Sequence, residues 1–101
     1  MRFVFEWDEN KSKNNLRKHG FSFNEILDVF YDPFSLDWKD DVHSTEDETR
    51  WQIIGSPDTF LVLVVVYTEH NGIIRLITAR KARQKEKAAY YGNIKKTTRG
   101  N

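Results

Sequence analysis

The chain of 101 residues contains no cysteine and only two prolines. Without cysteine, disulfides and thiolate metal sites are excluded, and a reducing cytoplasm is the expected compartment. The longest apolar stretch, Phe60–Tyr67, has the length of a strand and falls well short of the ~20 residues of a membrane-spanning helix. The N-terminal segment places acids directly after a short apolar run, unlike a signal peptide. We therefore expect a cytoplasmic protein with no membrane partner.

Several motifs of catalytic or cofactor-binding proteins are also missing. The five glycines are isolated from one another, so the chain has no Gly-rich phosphate loop. His19, His43 and His70 do not have the spacing of a metal-binding pair, and no metal site is expected. A Gly-x-Ser-x-Gly elbow is absent as well. Nothing in the sequence indicates a metal or other cofactor.

The charges that are present are unevenly distributed. Residues 36–50 hold six acids and two bases, whereas residues 75–101 hold nine bases and a single acid, Glu86. A basic C-terminal part is typical of proteins that bind a polyanion or an acidic protein, and it is equally compatible with a solvated basic helix and tail.

The N-terminal third is predicted to form a strand and two helices. Apolar residues alternate over Phe3–Trp7, as in a short strand. Asp8 can cap a polar helix that ends at Gly20. A second helix begins at the capping box Ser22–Glu25, and Pro33 stops it.

Four later stretches have the character of strands: Phe34–Lys39, Arg50–Gly55, Phe60–Thr68 and Ile73–Ala79. Asn71-Gly72 favours a type I′ turn, so the last two stretches should pair as an antiparallel hairpin. A last helix is expected over Arg83–Tyr91, closed by Gly92.

Together these elements predict an α+β domain over residues 1–92 and a flexible basic tail over residues 93–101. We expect a single antiparallel sheet with two N-terminal helices and one C-terminal helix, segregated to one face or end. The expected order is β-α-α-β-β-β-α, which counts three strands after the helices although four stretches have strand character.

The residues that could carry chemistry are basic residues and a histidine near strand ends. Cleavage of RNA by its own 2′-hydroxyl needs a group to take the proton, a cation to stabilise the crowded phosphate and an acid for the leaving oxygen. Arginine suits the phosphate, and histidine suits either proton transfer. The candidates are His43, Glu48, Arg50, Arg75 and Arg80.

Each candidate also has a purely structural explanation. His43 lies in a polar loop and could simply be solvated, while Glu48 and Arg50 could pair along one face of a strand. Arg75 and Arg80 are an odd number of residues apart, so a regular strand would send them to opposite faces. They can share one site only if the strand ends or bulges near Thr78.

The most specific motifs of the sequence are the opening E-W-D-x-x-K…K-H-G-x-S-F and the block I-x-A-R-K-A. They belong to a set of four segments, FEWDENKSKNNLRKHGFSF, VFYDPFSL, HSTEDETRWQIIG and RLITARKARQKEKAAYY. In the same order and through most of the chain, these segments resemble the BrnT family of toxins in type II toxin–antitoxin systems.

This resemblance implies a RelE-like α+β fold and an endoribonuclease that cleaves mRNA and arrests translation, which we expect to be independent of metal. It also implies a cognate BrnA-like ribbon-helix-helix antitoxin as partner, with promoter DNA bound only through the toxin–antitoxin complex.

Positions that match the family, together with Lys81 and Arg83, are assigned roles in this chemistry. Arg80 and Arg75, then Arg50, are expected to bind phosphate and stabilise the transition state. His43 is expected to transfer protons, with Glu48 as its orienting partner or as a base itself. Contacts to the RNA backbone are expected from Lys11, Lys18, His19, Lys81 and Arg83. The alternative is a non-catalytic RNA- or protein-binding module, or an inactivated toxin, that acts through the basic C-terminal face.

Overall fold

The computed structural model describes residues 2–99 of the chain. Five strands form one sheet in the order β1-β5-β4-β3-β2. The strands are β1 (Val4–Glu6), β2 (Leu36–Lys39), β3 (Trp51–Gly55), β4 (Leu63–His70) and β5 (Ile73–Lys81). The helices are α1 (Glu9–His19), a 3₁₀ helix (Phe23–Tyr31) and α2 (Gln84–Arg99).

The α+β class is confirmed, but the sheet is mixed, and the expectation of an antiparallel sheet is wrong. β1 pairs in parallel with β5, so that Val4 lies opposite Ile73. The order β-α-α-β-β-β-α is one strand short, because all four later stretches form strands. Local pattern could not reveal the partner of β1, since this strand of three residues is placed by distant packing of Phe5 on Phe30, with ring centroids 5.2 Å apart.

Helices cover both faces of the sheet, so the expectation that they gather at one face or end is wrong. Alternate residues of β4 enter two separate apolar clusters, because successive side chains of a strand point to opposite faces. Leu63 and Val65 pack with the 3₁₀ helix, whereas Val64 packs with Tyr90 of α2. The apolar residues of α2 therefore pack on the face of the sheet opposite the 3₁₀ helix.

Local signals placed the first helix and the hairpin correctly. The Asp8 carboxylate accepts hydrogen bonds from the backbone N–H groups of Asn10 and Lys11, and Gly20 ends α1 with a φ of 86°. Asn71 and Gly72 have φ values of 53° and 81°, as a type I′ turn requires. The antiparallel pairing of β4 with β5 is confirmed.

The C-terminal helix is longer than expected, and its predicted end at Gly92 is wrong. α2 continues to Arg99, and Asn93 Nδ2 donates to the carbonyl oxygen of Phe34 at 3.0 Å. Much of the segment expected to be a flexible tail is thus helical, while residues 100 and 101 lie outside the described residues. Lys81, which follows the strand predicted over Ile73–Ala79, is the last residue of β5.

A bulge interrupts β5 near Thr78, as the hypothesis that Arg75 and Arg80 share one site required. Val66 of β4 pairs with Thr78, but the next residue, Tyr67, pairs with Leu76. Ile77 is therefore an extra residue in β5.

The edge of β5 beyond the bulge is held by a side chain instead of a strand. Asn15 of α1 accepts a hydrogen bond from the Ala79 N–H at 3.0 Å and donates to the Ala79 carbonyl at 2.9 Å. This contact fixes the backbone that carries Thr78 and Arg80.

Candidate active site

A cleft of about 300 Å³ opens on the sheet face that α2 partly covers. It brings together three of the five residues expected to be catalytic, His43, Arg50 and Arg80, although His43 lies in a loop, Arg50 directly precedes β3 and Arg80 belongs to β5. Arg83, expected to bind RNA, lies there too. The complete lining is His43, Arg50, Gln52, Val66, Ile77, Thr78, Arg80 and Arg83.

His43 is held in place by the buried carboxylate of Asp40. His43 Nδ1 lies 2.7 Å from Asp40 Oδ2, and the backbone N–H of His43 donates to Asp40 Oδ1 at 3.1 Å. The His43 side chain is 58% exposed, whereas that of Asp40 is 3% exposed. The imidazole is therefore open to a ligand on one side and anchored on the other.

A third residue, Gln52 of β3, completes this anchor. Its Nε2 donates to Asp40 Oδ2 at 2.9 Å. Burial acts to raise the pKa of Asp40, but hydrogen bonds from Gln52 and His43 outweigh it and hold the pKa below its usual value. Asp40 is thus a buried, ionised carboxylate.

Ser44 joins the two ends of the loop that carries His43, at Asp40 and Arg50 (the neck of the loop). The Ser44 hydroxyl donates to the Asp40 carbonyl at 2.6 Å and accepts from the Arg50 N–H at 2.8 Å. The Asp40 N–H also donates to the Arg50 carbonyl at 2.8 Å. The Ser44 hydroxyl and one backbone hydrogen bond therefore hold His43 and Arg50 in a fixed relation.

Arg80 makes a two-pronged ion pair with Glu86 at the start of α2. Its NH1 and NH2 groups donate to Glu86 Oε1 and Oε2 at 2.8 and 2.9 Å. Glu86 also accepts from the Arg83 N–H at 2.7 Å, which caps the helix. The hydrogen bond from Arg80 is the main reason that the pKa of Glu86 falls to about 2, despite partial burial.

Glu48 contacts Arg50 and does not act as the hydrogen-bond partner of His43. Arg50 Nε donates to Glu48 Oε1 at 3.1 Å. The residue that takes the orienting position expected of Glu48 is Asp40.

The other expected site residues lie outside the cleft. Arg75 pairs with Glu6 at 2.7 Å, and these two residues line a separate pocket at the β4–β5 turn. Lys11, Lys18 and His19 lie on α1. Lys81 is paired with Leu63 of the cluster that contains the 3₁₀ helix. Its side chain therefore points to the face of the sheet opposite the cleft.

Asp40 and Gln52 are the site residues that sequence reasoning missed. Asp40 belongs to an acid-rich segment, where each carboxylate resembles a solvated surface charge. The signal that could have identified it is the spacing Asp-x-x-His, which in a tight turn allows the carboxylate to reach both the N–H and the ring of the histidine.

Residues 2–99 form neither a cluster of potential metal ligands nor a helix that could cross a membrane. Over this range, no group of three His, Cys, Asp or Glu side chains could hold a metal ion. Every helix within the same range is too short or too polar to cross a membrane.

Comparison with known proteins identifies the family. No curated protein sequence matches the chain. Among solved structures, the chain is similar to the 1.1 Å crystal structure of the Brucella abortus ribonuclease toxin BrnT, with a TM-score of 0.64 and 22% identity, covering 82% of this chain and 100% of that one. A family profile described as the ribonuclease toxin BrnT of type II toxin–antitoxin systems matches residues 7–86. The chain therefore belongs to the BrnT family of ribonuclease toxins.

Proposed function

We propose that this protein is a metal-independent endoribonuclease that cleaves mRNA at the cleft and thereby arrests translation. The observation that carries the proposal is the convergence of His43 with Arg50, Arg80 and Arg83 around one cleft. Phosphodiester cleavage by the 2′-hydroxyl requires a group that accepts the proton and cations that stabilise the phosphate, and the histidine and the arginines can supply both.

In the proposed reaction, His43 Nε2 takes the proton of the ribose 2′-hydroxyl. The bond from this oxygen to phosphorus forms, and the bond from phosphorus to the 5′ oxygen of the next nucleotide breaks. The leaving oxygen takes a proton from water. The products are a 2′,3′-cyclic phosphate and a 5′-hydroxyl end, and no metal enters any step.

The arginines are proposed to stabilise the negative charge on the phosphate as the new bond forms. Arg80 is rigidly oriented by Glu86, which favours a fixed position for one guanidinium. Arg83 is exposed and stands at the start of α2 beside Arg80. Arg75 lies outside the cleft, and we assign it to the RNA backbone, together with Lys11, Lys18, His19 and Lys81.

The antitoxin partner follows from membership of the family, whose description names a type II toxin–antitoxin system. We further propose that this antitoxin is a ribbon-helix-helix protein, that promoter DNA is bound only by the complex, and that both act in the cytoplasm. The excess of bases after residue 75 supports binding to an acidic partner or to RNA.

The test is incubation of the purified protein with a defined RNA in the presence of EDTA. We expect cleavage that resists chelation and leaves 2′,3′-cyclic phosphate ends, and that is lost in His43→Ala. Intact RNA retained in a gel shift would instead establish a binding module. Expression without growth arrest would establish an inactivated toxin.

A further inference from the structure

We propose that Asp40 is a positioning residue that fixes the tautomer of His43 and so makes Nε2 its proton acceptor. The inference rests on the proposed function, since it concerns the base of the same reaction. It adds a residue that the sequence alone did not indicate.

The first argument is the geometry of the carboxylate. Both of its oxygens are directed at His43, one to the backbone N–H at 3.1 Å and the other to ring Nδ1 at 2.7 Å. An ionised carboxylate can only accept hydrogen bonds, so Nδ1 must carry the proton. Nε2 is then left with the lone pair that a base needs.

The second argument is that the loop does not need this carboxylate for closure. Ser44 and the backbone of Arg50 already close the neck through hydrogen bonds of 2.6 to 2.8 Å. Burying a carboxylate is costly unless it is fully hydrogen-bonded, and a neutral side chain could tie the turn more cheaply. The buried charge of Asp40 is better explained by its effect on the imidazole.

The third argument is electrostatic. When Nε2 takes a proton, the ring becomes a cation, and Asp40 lies 2.7 Å from it. Two other acids of this segment are already paired with bases, Glu48 with Arg50 at 3.1 Å and Asp41 with Lys39 at 3.7 Å. Asp40 is therefore the carboxylate placed to stabilise the protonated ring.

The decisive variant is Asp40→Asn, which keeps the size of the side chain but introduces an N–H donor. If that amide donates to Nδ1, the ring proton moves to Nε2 and the base is lost. We expect kcat/KM for RNA cleavage to fall by about 10²-fold or more, the usual contribution of a positioned general base. Asp41→Asn, at an exposed neighbour, is the matched control and should leave cleavage unchanged.

A second variant separates positioning from folding. Asp40→Asn also sets two amide donors against each other, because Gln52 Nε2 donates to the same oxygen. Adding Gln52→Glu supplies an acceptor, so the double variant should regain thermal stability. If Asp40 only supported the loop, the double variant would regain cleavage as well, and that result would overturn the proposal.

The tautomer itself can be read from the ¹⁵N chemical shifts of the imidazole in the full-length protein. We expect a protonated Nδ1 in the natural sequence and a protonated Nε2 in Asp40→Asn. Unchanged shifts would refute the role of Asp40. Because this measurement needs no RNA, it tests Asp40 even if the natural sequence does not cleave RNA, in which case only the proposed function fails.

Discussion

Arg75 and Arg80 lie on the same face of the sheet, although they are five positions apart in the sequence. Because Ile77 is an extra residue in β5, the alternation of side chains shifts by one position after the bulge. Arg75 pairs with Thr68, and Arg80 pairs with Val64. Thr68 and Val64 are four positions apart on one strand and so point the same way. The two arginines share a face but are separated by roughly 13 Å along it, at about 3.3 Å per residue.

This separation predicts different consequences for the two arginines. Arg80→Ala should lower kcat by on the order of 10²- to 10³-fold, as expected for loss of a transition-state contact. Arg75→Ala should mainly weaken RNA affinity and reduce its salt dependence. Single-turnover cleavage and binding titrations over a range of salt concentrations would distinguish them. Equal losses of kcat in both variants would contradict a site confined to the cleft.

The ion pair between Arg80 and Glu86 should make stability depend on pH at the acidic end. The pKa of Glu86 is about 2 in the folded protein against an ordinary value of 4.5, so the pair stabilises the fold above pH 4.5 and this contribution is lost as the pH falls through 2. We predict that Glu86→Gln costs on the order of 2 kcal/mol at pH 7.

Urea unfolding of the natural sequence and of Glu86→Gln, from pH 7 to pH 2, would check this prediction. The difference between them should shrink steadily below pH 4.5. Glu46→Gln, in an exposed loop position, is the control and should show little effect at any pH. A difference that stayed constant down to pH 2 would show that Glu86 acts through packing and not through its charge.

The parts of the fold that were predictable depend on neighbours in sequence. The cap at Asp8 and the Asn71-Gly72 turn are determined by local backbone chemistry, and both were identified correctly. Other features depend on contacts between distant residues. The pairing of β1 with β5 joins segments about seventy residues apart, and no local signal encodes it.

The candidate site shows the same division. The sequence identified His43 and Arg80 as residues able to transfer protons or bind phosphate, because these abilities belong to the residue types. It could not identify Asp40, whose role depends on burial under the loop and on the amide of Gln52 from β3. It also could not separate Arg75 from Arg80, because their separation is set by the sheet register.

Thr68 offers a test of stability next to the site. It is fully buried, and its hydroxyl oxygen has no hydrogen-bond partner among the described residues. Thr68→Val removes this unsatisfied group while keeping the branched shape, so we predict a gain of about 1 kcal/mol. Thermal unfolding should show a rise in Tm of about 4 °C or more. Thr68→Ser, which keeps the hydroxyl and loses a methyl group, should instead lower the Tm.

Substitutions at two glycines should change the stability of the protein in opposite directions, and the one at Gly92 also tests the length of α2. Gly92 lies inside α2 with open space where a Cβ would be, so Gly92→Ala should stabilise the protein by about 0.5–1 kcal/mol. In Gly55→Ala, the new Cβ would lie 3.0 Å from the backbone oxygen of Val29, and overpacking should cost about 1–3 kcal/mol. Urea unfolding measures both changes. If Gly92→Ala were destabilising, the helix would end at Gly92, as its sequence suggests, and α2 would not continue to Arg99.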